Sequence, residues 1–138
     1  MSAPAILDIA GLAKSYGPVT ALAGVGLTVG PGEILAVTGP SGAGKTTLCR
    51  LIAGLAGPDA GTIALGGRNL LAVPAVRRRV SYLFESYALF PHLTVFDNAA
   101  SPLSVPGRRA LAPAERRDRV EAVLALLGID HLAHRRPA

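Results

Sequence analysis

Gly39, Pro40, Ser41, Gly42, Ala43, Gly44, Lys45 and Thr46 follow the pattern G-x-x-x-x-G-K-[ST], and nothing else in the chain restricts its fold as strongly. Glycines at this spacing let successive backbone N–H groups turn inward around a phosphate, with no Cβ to block the approaching oxygens. Such a loop works only between a strand and a helix, because the helix N-terminus adds unpaired donors and the positive end of its dipole. Both flanks have the right character. Residues 33–38 are a short apolar run with β-branched members, read as a buried, parallel strand. From Lys45 to Ala53, Leu48, Leu51 and Ile52 recur at helical spacing, and Gly54 is placed to stop the helix. Lys45 then reaches the β- and γ-phosphates, the Thr46 hydroxyl ligates Mg²⁺, and Thr47 is a donor toward the α-phosphate. The plainer reading is a glycine-rich turn beside a surface lysine.

The surrounding pattern is mixed α/β. Residues 6–13 alternate and end near Tyr16 and Gly17 as a strand running into a turn, giving a hairpin-like start. A second strand is expected over 25–29, ended by Gly30, Pro31 and Gly32. Further strands are expected over 61–65 and 80–84, with a Gly66-Gly67 turn after the first. Thr94 caps a short helix through Ala100, and 102–113 is loop-rich. A longer helix begins at Pro113, presents Val120, Val123, Leu124 and Leu127 on one face, and ends at Gly128.

Composition narrows the class. The chain has 138 residues, 50% hydrophobic and 17% charged, which suits one folded domain and excludes a disordered chain. The formal charge of +5 comes largely from arginines in clusters at 77–79, 108–109, 116–119 and 135–136. No aromatics interleave with them as a base-stacking platform requires, so they read as solvated faces and nucleic acid is not an expected partner. A lone Cys49, no secretory leader and no uninterrupted apolar span point to the cytoplasm. His92, His131 and His134 lack metal spacing, and Asp97 and Asn98 sit where a helix is capped.

With the loop comes a likeness. Ala13-Lys14-Ser15-Tyr16-Gly17, the 39–47 loop, Gly61-Thr62-Ile63 with Gly66-Gly67-Arg68, and the run from Tyr87 to Val95 (YALFPHLTV) are carried together. In these the chain resembles the N-terminal part of an ATP-binding cassette (ABC) transporter ATPase, and the run at 87–95 is most similar to importers of small nutrients such as sulfate, molybdate, iron or polyamines. The resemblance implies an α/β fold with a P-loop NTPase core: an antiparallel β subdomain plus a parallel sheet with flanking helices, over 1–90, and the start of a helical subdomain over 91–138. It implies ATP and Mg²⁺ as ligands, transmembrane permease subunits and a second nucleotide-binding subunit as partners, and a peripheral place on the inner face of the cell membrane. Tyr16 takes the position of the aromatic that stacks on adenine, although a packed edge-strand tyrosine is the other reading. Glu85 stands where the family has a glutamine that ligates Mg²⁺ or orients water, and the chain contains no Gln. A carboxylate also ligates Mg²⁺ but cannot donate a hydrogen bond to water; Glu85 capping a turn is the alternative. The family's LSGGQ signature and its Walker B strand are expected beyond Ala138. The function implied is to couple ATP binding and hydrolysis to solute import across the membrane; the alternative is a non-catalytic nucleotide-binding remnant, and the chain alone is expected to bind ATP without hydrolysing it and to dissolve poorly for want of strand partners. A P-loop small-molecule kinase is the remaining reading, lacking an acceptor lid.

Overall fold

In the structure, a computed structural model, residues 5–104 and 111–137 are described. They form two units, Met1–Leu83 and Phe84–Ala138. Half of the loop expected over 102–113, residues 105–110 with Arg108 and Arg109, lies outside the described residues.

The first unit is built on strands β1 (Leu7–Tyr16), β2 (Val19–Val29), β3 (Ala60–Leu65) and β4 (Arg68–Asn69), with helix α1 (Lys45–Ala53) between the second and third. The sheet runs in the order β2-β1-β3-β4 and every pairing is antiparallel. β1 is central because it is apolar on one face and flanked on both sides: Ile9 pairs with Leu27 of β2 and with Ile63 of β3. Both hairpin strands outrun the expected spans. Three shifts of register interrupt the β1–β2 ladder, and such bulges break the simple alternation that a sequence reader follows.

The core lies on one face of this sheet. Ile9, Leu12, Leu22 and Ile63 join Leu48 and Leu51 of α1, with Leu70 and Val73 from the following segment. The spacing of 48, 51 and 52 is what turns α1 onto the sheet. Gly54 ends the helix as expected, its N–H turning back to Arg50 and Leu51 carbonyls.

Two expected strands are absent. Residues 33–38 and 80–84 belong to no ladder, and 33–38 is exposed throughout, Ile34 at 96%. A strand exists only through a partner's ladder hydrogen bonds, and neither segment takes part in a ladder among the described residues. The parallel sheet expected beside the antiparallel one is therefore not assembled among the described residues.

The second unit packs α2 (Val95–Ala100) against α3 (Pro113–Leu126). Thr94 caps α2 as the sequence indicates: its hydroxyl oxygen accepts from the Asp97 N–H at 3.0 Å and donates to Asp97 Oδ2 at 2.6 Å. Ala100, Val120 and Leu124 form the core, with Val95, Phe96, Leu103 and Ile129 against it. Half of the expected apolar face of α3 is not buried, since Val123 and Leu127 are exposed. Ion pairs at i,i+4, Arg117 with Glu121 and Arg119 with Glu115, line its surface.

Candidate functional site

The candidate site is the loop that leads into α1. Gly44 is the N-cap residue, at φ 86°, and no side chain caps the helix and no acid stands in its first turn. The N–H groups at Lys45, Thr46 and Thr47 therefore have no capping acceptor, while the Leu48 N–H makes the first intrahelical bond, to the Gly44 carbonyl at 2.9 Å. Gly44 is also wedged against β2, where a Cβ would sit 2.7 Å from Leu22 Cδ2 and collide with the Ala21 carbonyl. That contact seats the helix start on the sheet.

Lys45 spans the loop it belongs to. Its ammonium donates to the Gly39 carbonyl at 2.8 Å and the Pro40 carbonyl at 2.7 Å. The Ala43 N–H closes a turn on the Pro40 carbonyl at 3.2 Å. Gly39, Pro40, Ser41, Gly42, Ala43 and Thr46 are exposed, and Gly44, Lys45 and Thr47 are half-buried. A positive charge, unpaired N–H donors and the positive end of a helix thus converge on one open loop, which is chemistry suited to a phosphate. The Thr46 hydroxyl is an exposed hard oxygen donor at the same helix start, the donor type that Mg²⁺ takes.

Tyr16 ends β1, paired with Val19 across the hairpin turn, and its side is 46% exposed. Two residues back, Lys14 pairs with Leu22, the residue packed under Gly44, so β2 carries both Tyr16's partner and the seat of the loop. The Lys14 ammonium lies 5.5 Å from the Tyr16 ring centroid, within cation–π range. It is anchored by Asp59, whose Oδ1 accepts from Lys14 Nζ at 2.8 Å and whose Oδ2 accepts from the Ser15 N–H at 2.7 Å. The Lys14 hydrogen bond first, and the Ser15 N–H second, hold the Asp59 carboxyl below its ordinary range.

Glu85 stands in the second unit, exposed, and its carboxylate makes no hydrogen bond among the described residues. Just beyond it the backbone is strained: Tyr87 and Ala88 take φ of 59° and 47°, in the left-handed region that side chains avoid. Tyr87 is 76% exposed, with Leu89 and Phe90 exposed beside it. The loop is nonetheless held. Asn98 Oδ1 accepts from the Phe90 N–H at 2.8 Å, and its Nδ2 donates to the carbonyls of Phe90, Leu93 and Thr94. A groove of about 670 Å³ in the same unit, walled by Phe96, Asp97, Arg117, Glu121, Leu124 and His134, contains none of the candidate residues.

Sequence reasoning missed two devices. Asn98, read as a cap, staples a loop instead. Arg78, read with its neighbours as a solvated charge, is 7% exposed. Its Nε donates to the Val73 carbonyl at 2.8 Å, and Nη1 donates to Leu51 at 2.6 Å and Ile52 at 3.1 Å, at the C-terminal end of α1. Burial pulls its pKa below that of a free guanidinium. The signal available was a helix end rich in carbonyls, but nothing in the order Arg77-Arg78-Arg79 says which one turns in.

A family model described as ABC transporter matches residues 22–138. The Fe(3+) ions import ATP-binding protein of Agrobacterium fabrum is 44% identical over 125 residues, 91% of this chain and 35% of that protein. The sulfate/thiosulfate import ATP-binding protein of Methylococcus capsulatus is 46% identical over 132 residues, 95% of this chain and 38% of that protein. The chain thus spans little more than a third of these curated relatives. A solved dimeric ATP-binding cassette, bound to ADP and Pi in a post-hydrolysis state, superimposes with a TM-score of 0.84 at 26% identity, covering 95% of this chain and 61% of that one.

Proposed function

Since this chain belongs to the ABC transporter family, we propose that its 39–47 loop and the start of α1 bind the phosphates of ATP within the ATP-binding subunit of a nutrient importer. The observation that carries the reading is the Lys45 ammonium spanning the Gly39 and Pro40 carbonyls beside the uncapped helix N-terminus. In this reading Lys45 holds the β- and γ-phosphates, the backbone of Gly42, Ala43 and Gly44 surrounds them, and Thr47 serves the α-phosphate side. Tyr16 supplies the face on which adenine stacks. Thr46 would supply a hydroxyl oxygen to Mg²⁺, which neutralises charge on the phosphates when bound, and Glu85, from its place in the family's pattern, is an oxygen donor of the type that ion takes. The chain covers 1–90 as loop core and β subdomain and 91–138 as the start of the helical subdomain.

Exposed Tyr87, Leu89 and Phe90 on a stapled, strained loop suit the permease subunits as docking partner, which would hold the protein peripherally on the inner face of the membrane. A second nucleotide-binding subunit fits the dimeric cassette that the chain resembles. Binding and hydrolysis separate here. Glu85 brings a carboxylate where a neutral amide serves the family, which favours a chain that holds ATP over one that hydrolyses it.

The test is titration calorimetry of the full chain with ATP, with and without Mg²⁺. Lys45→Ala removes the ammonium and is expected to weaken binding about tenfold or more. Unchanged affinity in that variant would refute the assignment.

A further inference from the structure

Helix α1 presents the phosphate donors from one end only, and both of its ends are fixed by named contacts. The N-terminal end rests on β2 through Gly44. The C-terminal end is gripped by Arg78, whose guanidinium forks onto the Leu51 and Ile52 carbonyls with one nitrogen and onto the Val73 carbonyl with another. Room for the fork comes from Gly54, where any Cβ would lie 2.6 Å from Arg78 Nε. Immediately after the fork, Arg79 adopts φ 58°, a left-handed backbone that a side-chain-bearing residue takes only under constraint.

This is an expensive way to cap a helix. Gly54 already returns its N–H to the last turn, and a buried guanidinium with no carboxylate among the described residues forgoes much of its hydration. What a rigid planar fork adds over a simple cap is direction: three carbonyls on two segments are held at fixed angles, so α1 can neither slide along nor roll on the sheet. Nine residues make α1 about 14 Å long, and a rod that short carries a tilt at one end to the other. Phosphate hydrogen bonds weaken steeply with small errors in distance and angle.

We infer that Arg78 is a positioning residue for phosphate binding, which sets the pose of α1 so that the N–H groups of Lys45, Thr46 and Thr47 converge on the ligand. The inference rests on the nucleotide reading above and assigns a role to a residue outside the loop.

The experiment compares Mg²⁺-ATP affinity, by calorimetry on the full chain, in the unmodified protein, Arg78→Met, Arg78→Lys and Ile63→Val. Ile63→Val trims one buried methyl from the core that Ile63 shares with Leu48 and Leu51, and lowers the melting temperature while keeping every hydrogen bond at α1's ends. Arg78→Met is expected to weaken ATP binding about tenfold and to displace the amide resonances of Lys45, Thr46 and Thr47. Arg78→Lys falls between the two, and Ile63→Val binds as the unmodified chain does. Wild-type affinity in Arg78→Met, or an equal loss in Ile63→Val, would overturn the inference. Should Arg78→Met not fold, Arg78→Lys decides: weakened binding with displaced resonances supports it, and unaltered binding overturns it. No ATP binding by the unmodified chain would overturn the nucleotide reading and this inference with it, whereas binding that Arg78 variants leave intact overturns only the latter.

Discussion

Gly42 and Gly44 have nearly the same backbone conformation, φ 83° and 86°, yet substituting each by alanine should have different consequences. At Gly42 a new Cβ meets nothing within 4 Å. The only penalty is the left-handed conformation, about 1–2 kcal/mol for an L-residue, less about 0.5 kcal/mol returned by a less flexible unfolded chain. The net loss is about 1 kcal/mol. At Gly44 the same conformational penalty is joined by collision with the Ala21 carbonyl and with Leu22 Cδ2 at 2.7 Å. The leucine tip can rotate, but the carbonyl belongs to β2 and moves only with the strand, so overpacking adds about 1–3 kcal/mol. Gly44→Ala should therefore cost about 2–4 kcal/mol. At about 4 °C per kcal/mol for a chain of this size, the melting temperature should fall about 12 °C for Gly44→Ala against about 4 °C for Gly42→Ala. Far-ultraviolet circular dichroism during heating, with urea titration as a check, measures both. Equal losses in the two variants would show that β2 does not buttress the loop.

Other consequences are as direct. Asp59 has a folded pKa below its ordinary 3.8, so its contribution to stability is present above that value and fades as pH falls through the lower folded one. Melting temperatures followed from about pH 5 down to about pH 2 should show this acid loss flattened in Asp59→Asn, and identical profiles would deny the Lys14 and Ser15 clamp any part in stability. Asn98→Ala removes all four bonds that tie Phe90, Leu93 and Thr94 to α2, which should cost the second unit about 2 kcal/mol. It should also speed hydrogen exchange at the Phe90 amide, while Asn98→Asp, keeping the Oδ1 acceptor, preserves most of that protection. Unaltered exchange in the alanine variant would contradict the staple.

Local chemistry was legible wherever it depended on neighbours in sequence. Lys45 through Ala53, with Gly54 as stop, could be read because helical spacing and a terminating glycine are local facts. So could Thr94, whose capping partner is three residues away. Strand lengths were harder: the expected spans miss residues 14–16 of β1 and 19–24 of β2, where shifts of register break the alternation. Residues 33–38 show the limit of composition. Ile34, Leu35 and Val37 state that burial is wanted, but pairing is a property of two segments and only one is in view. The glycine loop could be placed ahead of α1 from its pattern alone. Arg78 was not, since its partners at 51, 52 and 73 are fixed by the path of the backbone and by nothing in its own neighbourhood of charge.

The position of α1 between β2 and β3, in a sheet ordered β2-β1-β3-β4, has a kinetic meaning. The pairing of Ile9 with Ile63 closes a loop of about fifty residues, and the glycine loop and α1 both lie inside it. A nascent hairpin of β1 and β2 forms locally and fast, but the core beneath α1 needs Ile63, which arrives only when that long loop closes. Refolding should therefore show early hairpin protection, followed by a single slower step in which β3 docks and the helix acquires its floor. In the nucleotide reading proposed above, phosphate affinity would appear in that second step, together with the β1–β3 ladder.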